Sequence, residues 1–241
     1  MAIKYLDAKR IRGTSTSVKF DAQAYANTAS NGTTLTVSLA VANNDNRILI
    51  VSSGNYNASP TVSGITYGSQ NLIKIDDDII GSDGRCELWY LLAPTVGTAT
   101  ITVTYSGTAG RRGIGGMCFY DVAQTAPVNA VTASSTSGTT VGGNVTPTTA
   151  GSAIVDGMMW QEGDGNVVQN RTLGWGSSLS SINLIGGDRL QSSQYELNPT
   201  INSANQMNYT GGQSSLWAWV GAEIKCEDIS LGNVWVEKGT A

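Results

Sequence analysis

Carboxylates are the first groups to weigh, because they could hold a metal or move a proton. Asp76, Asp77 and Asp78 run together, and Asp83 follows between Gly81 and Gly84. Oxygen-rich loops bind calcium, and adjacent carboxylates repel one another unless a cation or water intervenes. The spacing is not that of an EF-hand, so a solvated loop is the first expectation. A calcium site at Asp76, Asp77, Asp78 and Asp83 is the second. Glu162 and Asp164, in QEGDGN, form a weaker cluster. Glu87 and Glu223 stand alone in strand-like segments, so a glycosidase pair would have to come from unrelated strands. The chain has no His. That removes the commonest general base, the commonest zinc ligand and every Ser-His-Asp or Cys-His triad. Cys86, Cys118 and Cys226 are odd in number and lack Cys-x-x-Cys spacing. Buried free thiols are expected.

Trp217 and Trp219 alternate with small apolar residues and share a strand face with Glu223 and Lys225. Flat rings on an exposed face could stack on a sugar. The same pattern fits a subunit interface or a second core layer, and these are the stronger expectations. Trp160 and Trp175 fall at strand ends or loops, where packing is expected over a ligand rim. Arg111 and Arg112 lie between Gly110 and Gly113 and read as a loop pair able to grip a phosphate or carboxylate. The pairs Gly115-Gly116, Gly142-Gly143 and Gly186-Gly187 lack the context of a phosphate loop and read as turns or close packing.

The elements that must carry these groups read as strands. Candidates are 34–41, 47–55, 61–67, 71–75, 85–93, 98–106, 114–123, 128–134, 152–160, 167–173, 181–185, 206–210 and 216–226. β-Branched and aromatic residues dominate them, often with period-2 alternation. Ile101, Val103 and Tyr105 alternate with Thr100, Thr102 and Thr104. Clusters such as Asn43-Asn44-Asp45-Asn46, Gly81-Ser82-Asp83-Gly84 and Ser137-Gly138-Thr139-Thr140 read as turns. No stretch has convincing helical periodicity. Arg47–Gly54 (RILIVSSG) faintly echoes Gly151–Met158 (GSAIVDGM). The two halves of a jelly roll would give such an echo, and so would a limited alphabet.

Residues 1–16 read as a basic arm, 17–226 as the body and 227–241 as a short tail. Residues 1–19 hold Lys4, Lys9, Arg10, Arg12 and Lys19 against Asp7 alone, before an acidic body; the chain's net charge is −4. Lys9, Arg10 and Arg12 are candidate interface residues, as is Trp235 within Val234-Trp235-Val236, because an apolar patch on a tail usually docks. Ser, Thr and Asn supply 69 of 241 residues and Gly 29, while charged residues are only 13%. That excludes long helices and coiled coils, and the aromatic and aliphatic content argues against disorder. There is no apolar run of signal-peptide or membrane-span length.

The order RILIV, VSGITYGSQNLIKI, RCELWYLLAPTVGTATITVTYSG, GGMCFYDVAQTAPVNA and WAWVGAEIK resembles a β-sandwich domain of bacterial secreted proteins and of phage or viral structural proteins. The likeness covers roughly residues 34–226; ELWYLLAP and DVAQTAPV are its most specific pieces. IKYLDAKRIRGTST and NVWVEKGT are similar to termini of virus-encoded structural proteins. The resemblance implies an antiparallel sandwich of jelly-roll type on a virion or extracellular surface, with no shared active site. The expected role is therefore a non-enzymatic, capsid-associated shell or decoration component, made in the host cytoplasm. Its partners would be its own copies and other virion proteins. A carbohydrate-binding or adhesive module, on a receptor-binding tail, a fibre or a secreted protein, is the alternative. Apart from calcium no cofactor is expected, and neither membrane nor nucleic acid is an expected partner.

Overall fold

Strands that alternate in polarity and strands that do not occupy different layers of the molecule. The computed structural model describes residues 17–57, 59–82, 84–161, 167–168, 179–185 and 190–227. These form β1 (Lys19–Thr28), β2 (Gly32–Val41), β3 (Ile48–Tyr56), β4 (Val62–Tyr67), β5 (Gln70–Asn71), β6 (Ile73–Ile80), β7 (Gly84–Leu92), β8 (Gly97–Tyr120), β9 (Val128–Val145), β10 (Ala153–Trp160), β11 (Val167–Val168), β12 (Leu179–Ile185), β13 (Leu190–Leu197) and β14 (Asn205–Ile224). Two antiparallel sheets result. One has the order β5-β4-β8-β3-β7-β6, with β1 and β2 also on β8. The other has the order β11-β14-β10-β13-β12, with β9 on β14. The all-β sandwich expected from the sequence is the fold.

β3 (ILIVSSGNY) and β10 (AIVDGMMW) have almost no exposed position. Strands covered on both faces need no alternation. Ile48 and Ile50 of β3 pack with Val155, Val220, Ala222 and Ile224 of the other sheet. Leu49 and Val51 point the other way, into a second core with Leu39, Ile65, Tyr67, Ile101 and Val103. Ile154, Met158, Trp160, Trp217 and Trp219 make a third core with Val141, Val145, Met207 and Tyr209. Each sheet therefore curls over itself, and the two curled sheets share a central core. Burying one such side chain is worth roughly 1.5–3 kcal/mol, so the shared core holds the halves together.

The curling is done by β8 and β14, which are 24 and 20 residues long. The first part of β8 pairs with β2 and β4, and its last part with β1 and β3. A register shift near Gly32/Thr34 and a φ of +23° at Arg111 mark the bend. β14 bends where its pairing with β9 shifts between Thr210 and Ser215. Extra residues on one strand let a ladder turn sharply without breaking. Close approach across the fold is visible at Gly116, where a Cβ would lie 2.5 Å from the Ile101 side chain.

The two curled units repeat one another, each shifted by 105 residues. Ile48 pairs with Phe119 and Leu92; Ala153 pairs with Ile224 and Leu197. Left-handed backbone recurs at Asn46 and Gly151, Ala93 and Asn198, and Gly97 and Asn202. Ala93 N–H donates to the Arg47 carbonyl and Asn198 N–H to that of Ser152. β6 lies against β9 and β14, while its counterpart β12 lies against β1 and β8. This reciprocity is that of a pseudo-twofold axis running along the strands. The echo between Arg47–Gly54 and Gly151–Met158 is thus a repeat, but its register is one residue off: the ladders equate Val51 with Asp156. The halves are also two complete curled units, not two parts of one roll.

Other expectations are corrected. Asp76, Asp77 and Asp78 lie in strand β6, not in a loop. Segments 98–106 and 114–123 are one strand, as are 206–210 and 216–226. Ser137-Gly138-Thr139-Thr140 is the bend of β9 and not a turn. β1 escaped notice because KFDAQAYANT interleaves alanines, poor strand formers, with polar residues.

Candidate functional site

The two poles of the molecule differ in what they carry. At one pole Val18 N–H donates to Gly151, Val122 bridges Cys226 and Glu227 N–H donates to Asp121. The first and last described residues, Ser17 and Glu227, therefore sit at this pole. The opposite pole holds the bends of β8 and β14. Contacts of Gly54 with Gln191 and of Gly84 with Met159 show that both halves direct their bends to that same end.

At this bend pole the first half has an open depression of about 490 Å³ lined by Asn57, Ser59, Pro60, Ser82, Ser106, Gly107 and Thr108. Three elements build it: the β3–β4 loop, the β6–β7 turn and the bend of β8. The Asn57 backbone has a φ of +75°, a conformation asparagine tolerates. Ser106 Oγ accepts from the Thr61 backbone N–H at 3.1 Å and so fixes the loop against β8. Directly beneath, buried Asn55 donates its Nδ2 to the carbonyls of Asn57 (2.7 Å) and Pro60 (3.1 Å). Its Oδ1 is buried without a partner.

Asn55 faces Arg112 across the β3–β8 ladder. Arg112 is buried and donates to the carbonyls of Ser30 (2.9 Å) and Thr34, with its guanidinium over the Tyr105 ring. The expected loop pair is thereby corrected, since both arginines lie in β8 and Arg112 is buried on the carbonyls of Ser30 and Thr34. In the second half, the 105-residue shift puts Trp160 and Trp217 at these two positions, and they face each other in the same way. Among the described residues neither buried indole N–H has a partner.

Buried carboxylates hold each half. Glu87 accepts from Val62 N–H (2.9 Å) and Trp89 Nε1 (3.2 Å), and pairs with Lys74. Glu223 accepts from the N–H groups of Thr148 and Thr149 and from Asn129. Asp156 accepts from Gln194 N–H and Nε2, Tyr209 Oη and Trp219 Nε1, at 2.7–3.0 Å. Burial pushes its pKa up to about 6, against the pull of those four donors. The donors hold each carboxylate in place, so all three clamp the fold from inside.

Of the residues singled out from sequence, Asp77 pairs with Lys74 and Arg85 and is compensated on its strand. Asp76 and Asp78 cap the N–H groups of Asp77 and Ile79. Among the described residues no group of three His, Cys, Asp or Glu is placed to hold a metal. Trp217 and Trp219 are 5% and 0% exposed, so the sugar-stacking platform on an open face is corrected: this face is a core layer. All three cysteines are buried and unbridged, and burial pushes the Cys118 thiol to about 12. Lys9, Arg10, Arg12, Asp83, Glu162, Asp164, Trp175 and Trp235 lie outside the described residues.

Two features escaped the sequence reading. Asp156 had a signal, an acid inside the apolar run AIVDGMMW, where ionisable groups are rare unless paired. The depression had none beyond turn chemistry, because its three segments are far apart in the chain. No protein-family model, no curated protein and no solved structure matches the chain.

Proposed function

We propose that the chain is a non-enzymatic structural component of a virus particle, a shell or decoration protein assembled in many copies. The observation that carries this reading is that the described residues begin and end at one pole, at Ser17 and Glu227. Such a body is anchored at one end through its terminal segments and offers the other end outward. The basic arm, with Lys9, Arg10 and Arg12, and the tail, with Trp235, would supply the contacts to neighbours. β-Strand exchange suits antiparallel edges such as β2, because an added strand pairs the open N–H and C=O groups. The outer face of the first half supports dense packing: exposed Thr34, Thr36, Ser38, Thr98, Thr100 and Thr104 form uncharged ranks across β2 and β8. Few charges there need desolvation. The likeness of ELWYLLAP and DVAQTAPV to virion and secreted sandwiches supports the setting.

Light scattering on the purified chain tests the reading. A stable oligomer or larger assembly is expected, and deletion of residues 1–16 should weaken it while the sandwich stays folded. A monomer independent of concentration overturns it. The alternative, a carbohydrate-binding or adhesive module, draws support from the open depression at the bend pole, whose lining among the described residues is polar and uncharged.

A further inference from the structure

We propose that Asn31 is a self-modification site, where attack by the Gly32 backbone nitrogen expels the side-chain amide as ammonia and leaves aspartate or isoaspartate. It goes beyond the assembly role and stands or falls separately from it. Asn31-Gly32 is the one asparagine–glycine pair in the chain, and every other asparagine precedes a residue with a Cβ. Residues 29–31 link β1 to β2, and Ala29, Ser30 and Asn31 are all exposed. The β2–β8 ladder shifts register between Gly32 and Thr34, so the pair sits where regular pairing breaks. Packing demands the glycine: a Cβ at 32 would lie 2.7 Å from Arg112 Nη2. The same missing side chain leaves the Gly32 nitrogen unshielded and its backbone free to turn.

The step needs no partner but water. Hydroxide takes the Gly32 N–H proton, and the nitrogen attacks Asn31 Cγ within the same chain. A new C–N bond forms, the Cγ–Nδ2 bond breaks, and Nδ2 takes a proton from water and leaves as ammonia. The five-membered imide then adds one water. Opening at one carbonyl gives aspartate; opening at the other gives isoaspartate, whose main chain runs through one extra carbon. Arg112 donates to the carbonyls of Ser30 and Thr34, one on each side of the pair. Isoaspartate changes the length of chain between those two carbonyls and so loosens the tie. Either product adds a negative charge beside the bend of β8.

The test holds the purified full chain at pH 7 and at pH 9 for weeks and follows each asparagine by peptide mass mapping. Asn31 should convert at least roughly tenfold faster than any other asparagine. Conversion should be faster at pH 9, and isoaspartate should accompany aspartate. Asn31→Gln, whose ring would have six members, should keep its side-chain amide. The aged chain should unfold about 2–4 °C below the fresh one, and aged N31Q should not. The proposal is overturned if Asn31 keeps its amide at pH 9 or loses it no faster than the other asparagines. It is equally overturned if aspartate forms without isoaspartate, because direct attack of water on the amide gives aspartate alone. Full conversion with an unchanged unfolding temperature overturns the link to Arg112.

Discussion

The two halves share ladders, bends and left-handed backbone positions, yet fill them with different chemistry. Val51 and Leu91 in the first half become Asp156 and Glu196 in the second, and Trp89 becomes Gln194. The ladder is indifferent to this exchange, because backbone pairing does not read side chains. What changes is the means of cohesion. Each half has one buried glutamate on loop N–H groups, Glu87 in the first and Glu223 in the second. Beyond that, the first half closes on aliphatic contacts and a buried arginine, while the second adds Asp156, which gathers donors from β13 and from both parts of β14. Apolar cohesion is diffuse and survives single losses, whereas a polar hub concentrates the risk in one residue.

The largest break should come at that hub. Asp156→Ala orphans Tyr209 Oη, Trp219 Nε1 and Gln194 Nε2 at once, and should cost about 4 kcal/mol in chemical denaturation. Val51→Ala, at the same place in the first half, should cost roughly half as much. Equal losses would dissolve the contrast.

Acidity sharpens the same point. Asp156 holds its proton more tightly folded than unfolded, since its pKa of about 6 lies above the usual 3.8. Its contribution to stability is full below the unfolded value and is lost as pH rises through about 6. Relative to Asp156→Asn, the parent should gain about 2 kcal/mol on going from pH 7 to pH 4. Parallel stability curves for the two proteins would refute this.

Next in size is the pair at the bend pole. Arg112→Met removes the ties to Ser30 and Thr34 and should cost about 2 kcal/mol. Trp217→Phe, its counterpart, removes a donor that bonds nothing and should change stability by less than about 1 kcal/mol. Thermal unfolding of the two variants side by side checks both numbers.

Much of the architecture was legible, because β-branched runs and turn residues announce strands directly. The lack of alternation in ILIVSSG and AIVDGM goes with strands covered on both faces, a meaning drawn only from the fold. The repeat was glimpsed and then misaligned by one residue. Identical valines at 51 and 155 are a better textual match than Val51 with Asp156, but a one-residue slip sends every side chain to the opposite face. The bends in β8 and β14 were missed because SGTAGRRG and TGGQSS carry turn chemistry, while in the fold they serve as bulges. The depression was invisible because it exists only once Asn57, Ser82 and Thr108 converge. Trp217 and Trp219 were read on the correct face, but only the curl of β14 shows that this face is covered.

Placing Ser17 and Glu227 at one pole and the bends of β8 and β14 at the other has a mechanical consequence. A pull between the two poles runs parallel to the strands. It loads the hydrogen bonds of each ladder together, in shear, instead of peeling them one by one. The same protein dragged sideways by an edge strand would unzip at far lower force.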